Sequence, residues 1–377
     1  MSTARFPIDP DGLDEFSVVF TDRSLNHMAR NFQQVMRDVS AGLLEVYRAQ
    51  SVAVVPGGGT FAMEAVARQF ANERRCLVIR NGWFSYRWSQ ILEMGRITDS
   101  IEVMKAAPVA PGRQQPFAPA PIEDVVATIR SFRPEVVFAP HVETSAGIML
   151  PDDYIRAVAA AAHEVGALFV LDCVASGAIW IDMQDLGVDV LISAPQKGWS
   201  ASPCAGLVML SERAAERLET TTSSSFACDL KKWRAIMQAY EARGHAYHAT
   251  LPTDALRRFR DAMVETRDFG FDRARDAQTE LGRRVRTLLA DRGFVSVAAD
   301  GFEAPGVVVC YTDDPALHNG SKLAAQGTQI AAGVPLQCDE PDDFRTFRIG
   351  LFGLDKLADV EGTVQRLASA FTRAMDG

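Results

Sequence analysis

The sequence holds no CxxC pair. Its six cysteines, Cys76, Cys173, Cys204, Cys228, Cys310 and Cys338, are scattered through 377 residues, and no Cys/His spacing suits zinc. A disulfide framework and a zinc fold are both disfavoured. The thiols read as reduced and mostly buried, which places the chain in a reducing compartment, the cytoplasm. No uninterrupted apolar stretch reaches the roughly 18 residues that a membrane span needs. The opening MSTARFPIDPDGLDEF lacks the apolar core of a signal peptide. Positive charge is also short, with 39 Lys and Arg against 48 Asp and Glu, a net charge of −9 and no long basic cluster. Nucleic acid and anionic membranes are therefore not expected as partners. There is no P-loop and no GxGxxG dinucleotide fingerprint.

What is present is a globular composition, 47% hydrophobic and 23% charged, long enough for two domains. Between about 50 and 210, short apolar runs alternate with helical patterns. SVAVV (51–55), RCLVIR (75–80), EVVFAP (135–140), ALFVLD (167–172), DVLISAP (189–195) and GLVML (206–210) read as strands. Runs that are apolar throughout predict burial on both faces, as in a mostly parallel sheet with crossover helices. PDDYIRAVAAAAHEVG (151–166) predicts one such helix, with Asp152 or Asp153 as N-cap and Gly166 as stop. Beyond about 255 the texture changes. Leu281, Val285 and Leu288 keep helical spacing, GVVVCYT and FRIGLF read as strands, and Val360, Val364, Leu367 and Phe371 form a last stripe. The expectation is an arm (1–20), a large α/β domain (21–255) and a smaller α+β domain (256–377).

Ligands of open α/β sheets sit at the carboxyl ends of the strands, and four unusual pieces fall there. Gly57, Gly58, Gly59 and Thr60 join a strand to a helix. Glycines let backbone N–H groups approach an anion, and the helix start favours one; a plain tight turn is the ordinary alternative. Asp172 closes a strand, where a carboxylate is costly to bury unless it faces a cation; its ordinary alternative is a helix N-cap. Lys197 follows the next strand among small residues. Most lysines are solvated, but one enclosed in this way has a lowered pKa and can form a Schiff base with an aldehyde. In HVETSAG, Thr144 and Ser145 can hydrogen-bond a ring hydroxyl or simply close an ST-turn. Phosphate, pyridinium and aldehyde are the three handles of pyridoxal phosphate, and the sequence offers a partner for each.

The motifs GGGTFAMEA, RNGWFSYRW, HVETSAG, LDCVAS, SAPQKG, YHATLPT and FRIGLFG stand in the order found in class V aminotransferases of pyridoxal-phosphate fold type I. Over residues 20 to 370 the chain resembles the alanine–glyoxylate and serine–glyoxylate (serine–pyruvate) members of that family. The resemblance implies an enzyme, pyridoxal 5′-phosphate as cofactor, and transfer of the amino group of a small amino acid to a small 2-oxo acid such as glyoxylate or pyruvate. It implies that Lys197 is the Schiff-base lysine and proton shuttle, and that Asp172 holds the ring nitrogen. Val174 would pack under the ring, Phe84 stack over it, and Thr144 approach its hydroxyl. Gly58, Gly59, Thr60 and Gln196 would hold the phosphate. Tyr247 and Thr250 would reach the phosphate of a neighbouring subunit, so the resemblance also implies a homodimer with a shared active site. Arg348 would clamp the substrate carboxylate with its planar fork.

Some features depart from the family pattern. Gly58 stands where relatives often carry a serine, so one hydroxyl near the phosphate is missing. The usual Pro-Gly-Pro opening is replaced by FSVVFTDRSLNHM, which makes Arg23 a rival to Arg348. Two alternatives use the same cofactor: an aminophosphonate transaminase, and a cysteine desulfurase or other lyase with Cys338 as a loop nucleophile. Gln196 and Phe84 stand where desulfurases usually carry histidines. His141, His245 and His248 read as supporting or interface residues rather than metal ligands, and Trp83 and Trp88 as packing.

Overall fold

The computed structural model describes residues 12–376; the first eleven residues of the expected arm lie outside the described residues. The main sheet has seven strands in the spatial order Ser51–Pro56, Ala205–Leu210, Val190–Ser193, Leu168–Asp172, Val136–Pro140, Cys76–Arg80 and Ile101–Lys105. The five from Val190–Ser193 to Ile101–Lys105 run parallel. Ala205–Leu210 is antiparallel to both its neighbours, so Ser51–Pro56 points the same way as the five. Five of these strands, Cys76–Arg80, Val136–Pro140, Leu168–Asp172, Val190–Ser193 and Ala205–Leu210, are buried at every residue, which is why they read as continuous apolar runs rather than alternating ones. Their register aligns the ends that matter: Asp172 lies beside Ile192 on one flank and Pro140 on the other.

The crossover helix is Asp152–Glu164, with Tyr154, Val158 and Ala162 buried on one face. Its N-cap is Pro151, not an aspartate. Asp152 and Asp153 occupy the first turn, where their charge complements the helix dipole.

Two long helices follow the sheet, Thr253–Phe269 and Phe271–Ala290, broken at Gly270. Gly270 has φ of 99°, a conformation that a side chain would strain. Leu256, Phe259 and Met263 of the first helix belong to the core under the main sheet. Leu281 and Val285 of the second belong to another core, shared with Phe371 and the strands Val307–Tyr311 and Thr346–Gly350. Trp180 packs against both cores. A third apolar cluster joins Val142, Ala146 and Ile148 to Val309 and Tyr311, and so ties the HVETSAG loop to the smaller sheet. Among the described residues no helix is long and apolar enough to cross a membrane.

Candidate active site

The turn after Ser51–Pro56 opens with Gly57 at φ 118°, which only glycine adopts without strain, and its N–H donates to the Cys204 carbonyl at 3.0 Å. Gly58 is extended and precedes the helix Gly59–Phe70. A Cβ at Gly58 would meet nothing within 4 Å, whereas one at Gly59 would come within 2.6 Å of Val174 Cγ2. The turn is thus open to solvent on one side and floored by Val174 on the other. Thr60 is exposed, and its Oγ1 accepts a hydrogen bond from Arg87 Nη1 at 3.1 Å.

Asp172 is 9% exposed at its strand end. Its Oδ1 accepts the Val174 N–H at 2.9 Å, and among the described residues no lysine or arginine pairs with it. Burial, with nearby Glu143 adding to it, pushes its pKa up to about 6. It does not cap a helix, since only turns follow. His141 braces the same strand end. Its N–H donates to the Asp172 carbonyl at 2.8 Å, its Nδ1 lies 2.7 Å from Ser176 Oγ, and burial lowers its pKa to about 4, which leaves it neutral.

Lys197 stands in a tight turn after Val190–Ser193. Its carbonyl accepts the Ser200 N–H at 3.1 Å, and Ser200 Oγ accepts the Leu354 N–H at 2.8 Å, which fastens the turn to the C-terminal part of the chain. Gly198 is required here, because a Cβ would lie 2.0 Å from the Gly177 carbonyl oxygen. Lys197 is half-buried, with Nζ 4.9 Å from the centre of the Phe352 ring. Burial lowers its pKa, and the Arg348 charge lowers it further. The solvated-loop alternative therefore fails for this lysine. Gln196 beside it keeps Oε1 buried without a partner.

Arg348, on Thr346–Gly350, is half-buried. Its Nε donates to the Ala332 carbonyl at 2.7 Å, and its Cζ lies 5.6 Å from the centre of the Phe84 ring. Among the described residues no carboxylate forms an ion pair with it. Arg23 is exposed, with its N–H turned back to Thr21 Oγ1 at 3.3 Å.

Phe84 lies in the first turn of the helix Trp83–Met94, and a residue missed in the sequence fixes that turn. Glu143 is fully buried. Its carboxylate accepts the Phe84 N–H at 3.2 Å, the Ser85 N–H at 2.9 Å, the Ser85 hydroxyl at 2.7 Å, the Ser145 N–H at 3.0 Å and the Ser145 hydroxyl at 2.7 Å. Ser145 Oγ in turn accepts the Trp83 N–H at 2.9 Å. Ser145 is therefore committed to capping this helix and is not free for a ring hydroxyl, while Thr144 between them is half-buried. The available signal was an acidic residue in HVETSAG, directly after the apolar run EVVFAP. Trp88 packs as expected, stacked on Phe138 at 4.2 Å.

Two sequence candidates lie apart from this group. Tyr247 and Thr250 are exposed and hydrogen-bonded to each other at 3.1 Å, with Tyr247 against the His27 ring at 5.4 Å. His245 faces His27 at 5.8 Å, and His248 Nε2 lies 2.8 Å from the Phe226 carbonyl. Cys338 is not a mobile nucleophile. It is 3% exposed, its Sγ lies 3.4 Å from the Arg80 carbonyl oxygen, and burial pushes its pKa up to about 12, so no thiolate forms near neutral pH.

Several groups here lack the direct partner that burial demands: the Asp172 carboxylate and Arg348 are in no ion pair among the described residues, and Gln196 Oε1 has no donor. With the open face of Gly58 and a half-buried lysine whose pKa is lowered, they suit a ligand carrying a phosphate, a cationic ring nitrogen and an aldehyde. No three His, Cys, Asp or Glu converge as metal ligands among the described residues.

Comparison with known proteins points the same way. Residues 16–341 match the aminotransferase class-V family. The chain is 29% identical over 331 residues to 2-aminoethylphosphonate–pyruvate transaminase 2 of Paraburkholderia xenovorans, covering 85% of this chain and 84% of that protein. It is 27% identical over 333 residues to a protein of Synechococcus sp. named soluble hydrogenase, small subunit, covering 87% and 83%. Among solved structures, an alanine–glyoxylate aminotransferase from Nostoc sp. superposes with a TM-score of 0.77 at 22% identity, over 93% of this chain and 89% of that one. The expected α/β architecture of fold type I is the one found. The chain belongs to the aminotransferase class-V family, and pyridoxal 5′-phosphate is its cofactor.

Proposed function

We propose that the protein moves the amino group of a small amino acid, of alanine or serine type, to a small 2-oxo acid such as glyoxylate or pyruvate. The observation that carries this is the pairing of a half-buried lysine with an arginine that has no carboxylate partner: Arg348 is close enough to lower the pKa of Lys197, and its guanidinium lies over Phe84. When bound, pyridoxal phosphate supplies an electron sink for the substrate's Cα. The chain's residues do the rest. Gly58, Gly59, Thr60 and Gln196 hold the phosphate, Phe84 and Val174 flank the ring, and Thr144 takes its hydroxyl. Asp172 balances the ring nitrogen, which relieves its own unpaired burial. Lys197 would hold the cofactor through its aldehyde and would carry the substrate's Cα proton; burial and the Arg348 charge, which lower its pKa, favour the free amine that this role needs. Arg348 binds the carboxylate shared by donor and acceptor.

Tyr247 and Thr250 complete the phosphate site of a second copy in a homodimer. The reading is supported by their exposure and by the exposed apolar residues Phe61, Phe226 and Tyr247. The division into arm (1–20), large domain (21–255) and small domain (256–377) belongs to the same reading, with Thr253–Phe269 as the connection between two apolar cores. Six unpaired cysteines suit the cytoplasm.

An aminophosphonate donor is the second reading, favoured by the named Paraburkholderia relative; Arg348 would then take a phosphonate on the donor and a carboxylate only on the acceptor. Steady-state rates with alanine, serine and 2-aminoethylphosphonate against glyoxylate and pyruvate decide between them. A parent protein that turns over none of these pairs, or a Lys197→Ala variant that keeps both visible cofactor absorbance and activity, overturns the reading.

A further inference from the structure

We propose that Arg87 is a positioning residue that acts on the cofactor phosphate through Thr60, compensating for the hydroxyl that Gly58 does not supply. This rests on the assignment of Thr60 to the phosphate made above. Three observations carry it. First, Arg87 Nη1 donates to Thr60 Oγ1 at 3.1 Å. A hydroxyl has one proton and two acceptor positions. Because Arg87 fills an acceptor position, the Thr60 proton stays free to donate to an anion, and its donor character is strengthened by the charged group behind it. Second, the guanidinium is held in place from below, with its Cζ 4.7 Å from the centre of the Phe84 ring. Phe84 is itself fixed by Glu143, so the cation is preorganised rather than swinging freely. Third, no carboxylate forms an ion pair with Arg87 among the described residues, although arginine–carboxylate pairs are common elsewhere in the chain. A half-buried guanidinium one hydrogen bond from the glycine turn, in no direct ion pair and acting on Asp172 only at longer range, is placed to serve an anionic ligand.

The choice of Arg87 over a second substrate-carboxylate site follows from its contacts. Arg348 reaches Phe84 from the small sheet and is bound to the Ala332 carbonyl, whereas Arg87 is bound to Thr60 in the first turn of the helix that follows the glycine turn. The two cations share one ring but are anchored on different elements.

The test compares pyridoxal phosphate with pyridoxal, which differs only by the phosphate. Apo-protein is titrated with each, and Kd is read from the visible absorbance of the lysine-linked cofactor. For Arg87→Met the Kd of pyridoxal phosphate is expected to rise about 10- to 100-fold, the range of one charge-assisted hydrogen bond, while that of pyridoxal changes less than about threefold. Arg87→Lys keeps the charge on the helix and recovers part of the loss. Thr60→Val combined with Arg87→Met is no weaker than the sum of the singles and falls short of it, because both act on the same contact. Equal weakening for pyridoxal and its phosphate, no weakening for either, full additivity of the double variant, or a raised KM for a dianionic substrate at unchanged cofactor Kd each overturns the proposal. Failure of the transamination reading registers separately, as a parent protein that binds pyridoxal phosphate and turns over no amino donor.

Discussion

Replacing Asp172 by asparagine should stabilise the cofactor-free protein, and by an amount that depends on pH. The Asp172 pKa is pushed up to about 6 from 3.8, so between those values the folded state binds more protons than the unfolded one. Stability from this group is then fully present below pH 3.8 and lost as pH rises through 6. The penalty is about 1 kcal/mol at pH 4.5 and about 3 kcal/mol at pH 7.5, at 1.36 kcal/mol per unit. Asparagine keeps the acceptor for the Val174 N–H and carries no charge, so it escapes the penalty. For 377 residues the unfolding entropy is about 0.8 kcal/mol/K, so the variant's apo Tm should exceed the parent's by about 1 °C at pH 4.5 and about 4 °C at pH 7.5. Differential scanning fluorimetry across that range measures the gap. Adding pyridoxal phosphate should close or reverse it, since the ring nitrogen offers the parent the cation it lacks. A gap that stays constant with pH, or one that saturated cofactor widens, refutes the argument that an unpaired buried carboxylate is being held for a cationic ligand.

Arg348→Ala should lower kcat/KM about 30-fold to several thousand-fold, the range of a truncated, partly desolvated charge pair, with cofactor Kd nearly unchanged; Arg348→Lys should recover little, because an ammonium lacks the planar fork. Near-normal kcat/KM in Arg348→Ala would move the clamp elsewhere. Glu143→Gln should lower the apo Tm by about 3–5 °C, since it weakens charge-assisted bonds that hold the Phe84 turn, and should broaden the visible absorbance of the bound cofactor; an unchanged melting curve would show the five bonds to be dispensable. Tyr247→Phe with Thr250→Val should weaken pyridoxal phosphate binding about tenfold, and only in the assembled protein; sedimentation of a fully active monomer would remove the shared site. Cys338→Ala should leave any release of sulfide from cysteine unaffected, as measured by a sulfide assay, because the thiol is buried and protonated.

The fold class, and the placing of Gly58, Asp172 and Lys197 at strand ends, were legible in the residues alone. Strands buried on both faces have to be apolar throughout, so Cys76–Arg80, Val136–Pro140 and Leu168–Asp172 announced a covered parallel sheet. Once the sheet is known, the position of Gly58, Asp172 and Lys197 after their strands puts them on one edge. Tertiary structure alone decided the rest, because it depends on contacts between residues far apart in the chain. Glu143 looked like one acid among many until Ser85 and Phe84, 58 and 59 residues away, turned their donors toward it. Cys338 sat in a polar stretch by local composition, yet the carbonyl of Arg80, 258 residues away, covers its sulfur. Arg87 acquired a function only when the helix carrying it lay beside Thr60, and Lys197 acquired its lowered pKa only when burial and the charge of Arg348 acted on it together. Periodicity reports which face of an element is covered; what covers it, and which charges that covering leaves without partners, is settled only when the elements pack.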